Sequence, residues 1–163
     1  LYDPYVTEER SPYQRAVDGA VEIPPSAFAG ARWERLGTFG DGADAHAYGA
    51  GDGWFDYAFS LGHAAAPTLE ARLSSEWPGK SAPPDGGSDV AVLVDGVRVA
   101  TLGVIPDDGA GRVEKIALGS LRAGRHMLRL LVAPGPNAHG LCVYGNARVP
   151  LRIVTGAAAT SRR

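Results

Sequence analysis

The chain has 163 residues, 45% hydrophobic and 21% charged with a formal net charge of -2, which suffices for one domain with a substantial core and no disulfide or metal staple. So even a charge balance offers no broad positive field to a phosphate backbone or an anionic membrane, which sets nucleic acid and membrane aside as partners. The longest apolar runs, such as LRLLVAP, fall far short of the roughly 20 residues needed to span a bilayer, and the single cysteine, Cys142, excludes an internal disulfide and any multi-cysteine metal site.

The chain opens at Leu1 rather than at Met, so it reads as a processed or excised piece whose export signal would lie outside it. Residues 1–15 mix prolines, charges and tyrosines without periodicity and read as an irregular lead-in or a linker. In GAVEIPPSAFAG a short strand is ended by Pro24 and Pro25. ARWERLGTF follows as a strand with Trp33, Arg35 and Gly37 on one side and Arg32, Glu34 and Leu36 on the other. WFDYAFSL places Phe55, Tyr57, Phe59 and Leu61 on one face, and TLEARLSSEW turns Leu69, Ala71 and Leu73 inward.

The next strong signal is SDVAVLVDGVRVATLGV, two β-branched runs joined by Asp95-Gly96. That pair suits a two-residue type I′ turn, whose central residues both take positive φ, and it predicts a hairpin. RVEKIALG gives another strand. LRAGRHMLRLLVAP sets His126, Leu128, Leu130 and Val132 on one face, GLCVYG and VPLRIVTG complete the series, and 157–163 read as a frayed tail. Nine or ten short strands, punctuated by many of the 22 glycines and 12 prolines and without helical periodicity, predict an all-β fold: a two-sheet antiparallel β-sandwich, of jelly-roll type, over residues 16–156.

Candidate chemistry concentrates in a few places. On the outward side of WFDYAFSL, Trp54 stands beside Asp56, with Tyr48 nearby. An indole plane stacks on the C–H face of a sugar while a carboxylate accepts from its hydroxyls, and Trp33 and Trp77 offer further indoles. Equally, such indoles can pack beneath loops or against a parent enzyme, as large aromatics often do. Asn137 and His139 lie in the loop APGPNAHG, where they would either present polar groups to a ligand or simply make a turn. Asp41, Asp44 and Asp52, in a glycine-rich stretch with His46, supply oxygens of the kind calcium takes, but their spacing matches no EF-hand and Asp-Gly pairs are ordinary turn chemistry. Asp107 and Asp108 are a weaker case of the same pattern.

Nothing points to catalysis. GxSxG and HExxH are both absent, Glu70 and Glu76 are not singled out as a carboxylate pair, His126 reads as a hydrogen-bonded core histidine, and Cys142 lacks an activating neighbour.

In order along the chain, GWFDYAFSL, SDVAVLVDGVRVA, LRAGRHMLRLLV and HGLCVYG resemble the galactose-binding-like β-sandwich domains that accompany bacterial glycoside hydrolases, over roughly residues 45 to 155. The resemblance implies a noncatalytic, carbohydrate-binding accessory module of a secreted enzyme, often with a structural calcium. Related modules often carry a glutamate pair in the opening strand for that ion, where this chain has only Glu22. Two other functions stay open at this point: a structural domain that docks on a catalytic domain of the same parent protein, and a small β-sandwich lyase or esterase.

Overall fold

The structure, a computed structural model, describes residues 4–40, 45–75, 86–106, 111–145 and 151–156, without the side chain of Phe39. Asp41, Asp44, Glu76, Trp77, Asp107, Asp108 and the 157–163 tail lie outside the described residues. Twelve strands are described: β1 (Val6–Glu9), β2 (Arg15–Val17), β3 (Ala20–Ile23), β4 (Gly30–Phe39), β5 (His46–Leu61), β6 (Thr68–Ser74), β7 (Ser88–Val94), β8 (Val97–Val104), β9 (Arg112–Ala117), β10 (Gly124–Val132), β11 (Leu141–Tyr144) and β12 (Leu151–Val154). Every pairing is antiparallel.

The strands fold into a β-sandwich. One layer runs β1-β4-β5-β10-β7-β8; the other is built around β6, flanked by β9 on one side and by β11 and β12 on the other, with β3 and β2 beyond β12. Alternation drives this arrangement. Phe55, Tyr57, Phe59 and Leu61 of β5, Leu128, Leu130 and Val132 of β10, and Leu69, Ala71 and Leu73 of β6 meet in a single buried core. Tyr57 is fully buried, and its hydroxyl donates to the carbonyl of Pro25 at 2.8 Å, so the phenol leaves no orphan donor in the core.

β5 joins the two layers. Its first part pairs with β11 through Gly49↔Leu141, and its second part with β10 through Gly53↔Val132. The strand therefore turns a corner across the stretch GAGDG. A Cβ on Gly49 would lie 1.9 Å from the ring of Trp33, and one on Gly53 would lie 2.0 Å from the Arg32 carbonyl oxygen. The glycines thus make the room that the indole fills.

The Asp95-Gly96 hairpin is present as expected, with φ of 51° and 84° at its two central residues. Two expectations need correcting. The lead-in is not wholly irregular: β1 pairs with β4 along Val6–Glu9, and β2 begins at Arg15. The alternation along ARWERLGTF does not hold throughout, because a bulge between Trp33 and Arg35 reverses its parity: Trp33 is buried, Arg35 is exposed, and Leu36 packs on the core.

Candidate ligand-binding face

The outward face of β5 carries Trp54, Asp56, Ala58 and Ser60 in sequence. Across the sheet, Arg129 of β10 lies opposite Asp56 in register. Its Nε donates to Asp56 Oδ1 at 2.7 Å and its Nη2 to Oδ2 at 2.8 Å, a parallel two-bond fork. The same guanidinium lies 4.0 Å from the centroid of the Trp54 ring. Trp54 stands beside an aspartate because both are partners of one arginine that lies 73 residues after Asp56 in the chain.

A second set adjoins the first. Arg32 of β4 is opposite Trp54 in register, and its guanidinium lies 4.0 Å from the ring of Tyr5. The Tyr5 hydroxyl is 2.8 Å from each carboxylate oxygen of Asp52 and donates its one proton to that carboxylate. This hydrogen bond, followed by desolvation and the nearby charge of Asp52, raises the phenol above its ordinary range. The Asp56 fork does the same for Arg129, which stays charged. The Asp56 side chain is 14% exposed and that of Arg129 is 37% exposed, so the fork is held at the edge of solvent with guanidinium surface still open.

Trp33, expected among the ligand contacts, is instead a core residue at 0% exposure, with its ring centroid 5.1 Å from that of Phe55, and it presents nothing to a ligand. The cause is its inward parity, together with the space left by Gly49 and Gly53. Tyr48 is half-buried, with its hydroxyl next to Gly140. Asn137 and His139 lie in the loop after β10 and are exposed.

That loop is stapled to β7. Asn137 Nδ2 donates to Asp89 Oδ2 at 3.0 Å, the Asp89 amide donates to the Asn137 carbonyl at 3.0 Å, and Ser88 Oγ accepts from the His139 amide at 2.9 Å. His139 Nε2 lies 3.0 Å from the Pro136 carbonyl and is its donor.

Of the three aspartates considered for calcium, only Asp52 is described, and the Tyr5 hydroxyl engages both of its oxygens. Glu22 pairs with Arg15 and, at 3.6 Å, with Arg152. Among the described residues no three His, Cys, Asp or Glu side chains are grouped to hold a metal.

His126 is buried, with Nδ1 2.7 Å from Asp95 Oδ2 and Nε2 2.7 Å from the Arg122 carbonyl. Both acceptors take a proton from the ring, which favours the doubly protonated imidazole and makes it a clasp between the hairpin turn and β10. Cys142 is buried in β11. Glu70 faces Lys115 at 4.0 Å and Arg152 at 3.9 Å.

No protein-family model matches the chain, and no curated protein sequence matches it. Solved structures do match its fold. CsCBM6-3 from Clostridium stercorarium, in complex with cellobiose, aligns with a TM-score of 0.55 at 11% identity, covering 91% of this chain and 97% of that one. The C-terminal CBM6 of LamC, a marine laminarinase from Zobellia galactanivorans, aligns with a TM-score of 0.55 at 12% identity, covering 83% and 98%. An isomalto-dextranase from Arthrobacter globiformis T6, complexed with panose, gives 0.54 at 12% identity over 85% of this chain but only 24% of the enzyme. At these identities the likeness is one of fold: the chain has the β-sandwich architecture of carbohydrate-binding modules.

Proposed function

We propose, from the fold shared with carbohydrate-binding modules, that this domain is itself a noncatalytic module that binds carbohydrate on the outward face of β5 and β10. The observation that carries the reading is the Trp54–Arg129–Asp56 cluster. It sets an indole, a charged donor and a carboxylate on two paired strands, fixed before any ligand arrives and at the edge of solvent. Sugar hydroxyls would take hydrogen bonds from the guanidinium surface that the Asp56 fork leaves open, and the C–H face of the ring would pack on the part of the half-buried Trp54 indole that Arg129 leaves open. The candidate acid-base and nucleophilic groups fit structural duties better than catalysis: His126 is a buried clasp, and Cys142 is a buried core residue.

The parent protein in this reading is a secreted bacterial glycan-degrading enzyme, a place supported by the isomalto-dextranase, of which the matched region is 24%. Tethering would raise the enzyme's effective concentration on its polymer.

Affinity electrophoresis and calorimetry against neutral and acidic polysaccharides test the proposal. The wild-type chain should bind at least one class, and Arg129→Ala and Trp54→Ala, checked for folding by circular dichroism, should weaken that binding. If Asn137→Ala and His139→Ala weaken it while the Trp54 and Arg129 variants do not, the ligand sits at the loop end and the face is misassigned. If the folded wild type binds no glycan, the proposal fails.

A further inference from the structure

A groove of about 440 Å³ opens at the other end of the β5 face, lined by Pro12, Tyr13, Gln14, Ala58, Ser60 and Arg125. That volume is within the range of small-molecule sites. It lies about 13 Å along the strand from Asp56, at four residues' rise, and its far wall comes from the segment between β1 and β2. Gln14 holds that wall in place: its Oε1 accepts from the Ser60 amide at 2.7 Å and its Nε2 faces the Ser60 carbonyl at 3.3 Å. Pairing between β4 and β5 ends at Gly30↔Asp56, so the side-chain amide takes over the edge hydrogen bonds of β5 that β4 no longer reaches.

The groups facing into this groove are unspent. Tyr13 is 57% exposed, so its ring offers a face to a ligand in the groove. Neither its hydroxyl nor the guanidinium of Arg125 has a hydrogen bond or ion pair among the described residues. Arg125 lies opposite Ser60 on β10; of the acids around it, Asp56, four residues along the face, is already committed to Arg129, and Asp95, beside Met127, is committed to His126 and the Met127 amide. Ala58 keeps the floor low between them. The result is a cation, an aromatic face and a serine hydroxyl around one depression.

We propose that this groove is a subsite for an acidic sugar, a hexuronate unit of a glycan, which deepens and rests on the carbohydrate-binding reading. The planar fork of Arg125 matches a carboxylate with two parallel hydrogen bonds. The ring of Tyr13 takes a pyranose C–H face, and Ser60 Oγ exchanges hydrogen bonds with a hydroxyl. Binding weakens as salt rises, because the pair sits at the surface.

The test is calorimetry and amide NMR on the 163-residue chain with tetragalacturonate, oligoglucuronate and alginate oligomers, and with cellotetraose as the neutral control. At least one uronate should bind more tightly than cellotetraose and shift the amides of Gln14 and Ser60. Arg125→Gln should weaken uronate binding about tenfold, the scale of one charge-assisted hydrogen-bonded contact, and leave cellotetraose binding unchanged. Tyr13→Ala should likewise weaken uronate binding. The groove is refuted if neutral glycan binds and no uronate binds more tightly, or if Arg125→Gln leaves uronate binding unchanged. Absence of binding to every glycan overturns the carbohydrate reading itself, and the subsite with it.

Discussion

The two ends of the β5 outward face are built in opposite ways. Around Trp54, charge and aromatic surface are spent on one another: Asp56 holds Arg129, Arg129 covers Trp54, Asp52 holds Tyr5, and Tyr5 underlies Arg32. Around Ser60, Tyr13 and Arg125 face a groove with their bonding capacity still open. The difference shows that residue type alone does not make a site. A tryptophan next to an aspartate looks like a sugar platform, yet much of its chemistry maintains the face, while a less conspicuous tyrosine and arginine carry the larger unsatisfied potential. Substitutions at the first end should therefore register in stability as well as binding, and those at the second in binding alone.

The largest effect is expected where the Trp54 end is anchored, at the corner of β5. Gly49→Ala would place a methyl 1.9 Å from the Trp33 ring in a filled core. Urea unfolding should show a loss on the order of 3 kcal/mol, or no folded protein. Trp33→Ala alone should cost about 3 to 5 kcal/mol through the cavity it leaves. The two changes act on the same space, so the double variant should fall well short of their sum. Full additivity would mean that the glycine and the indole do not meet as described.

Next in size is the fork itself. Asp56→Ala strands a guanidinium over an indole and should destabilise by about 1 to 3 kcal/mol, the usual result of removing one partner of a charged hydrogen bond. Combined with Arg129→Ala in a double-mutant cycle, it should reveal a favourable coupling between the two sites. A coupling of zero would place Arg129 in solvent and leave Asp56 available to a ligand, removing the contrast between the two ends.

A smaller, pH-dependent effect comes from the clasp at the hairpin turn. Burial would lower the His126 pKa, but its hydrogen bonds to Asp95 and the Arg122 carbonyl outweigh that and hold it above its ordinary 6.5. For Asp95, burial acts upward, but the bond to His126 and the Met127 amide bring it below its ordinary 3.8. A raised histidine contributes stability that is fully present below 6.5 and lost as pH rises through its folded value. A lowered aspartate contributes above 3.8, and that is lost as pH falls through its folded value. The difference in melting temperature between wild type and Asp95→Ala should therefore be greatest between these bounds and shrink on the alkaline side. A difference that grows with pH would show that His126 is neutral in the fold.

Much of this architecture is legible from period-two patterning, because the inward residues of β5, β6 and β10 announce their faces locally, and Asp95-Gly96 announces its turn. The misses share a physical cause: they depend on neighbours remote in sequence. Val6–Glu9 lacks an apolar face of its own and becomes a strand only by pairing with β4. The burial of Trp33 depends on glycines 16 and 20 residues later and on a bulge that no composition rule marks. The partner of Asp56 is 73 residues away, and no pattern near Trp54 announces Arg129. The groove exists because Gln14 docks on Ser60, across 46 residues of chain.

The smallest expected change in stability is at that groove, and it is the sharpest test of the contrast. Tyr13 and Arg125 are exposed and bonded to no described residue, so Arg125→Gln should alter unfolding free energy by no more than about 0.5 kcal/mol, as for an ordinary surface substitution. Tyr13→Ala should behave likewise, since the wall is fastened by Gln14 and not by the ring. Gln14→Ala is the informative control, because it should release the wall and weaken uronate binding while Arg125 itself is untouched. Should Arg125→Gln destabilise the fold as strongly as Asp56→Ala, Arg125 would have a structural partner, and both ends of β5 would prove to be built in the same way.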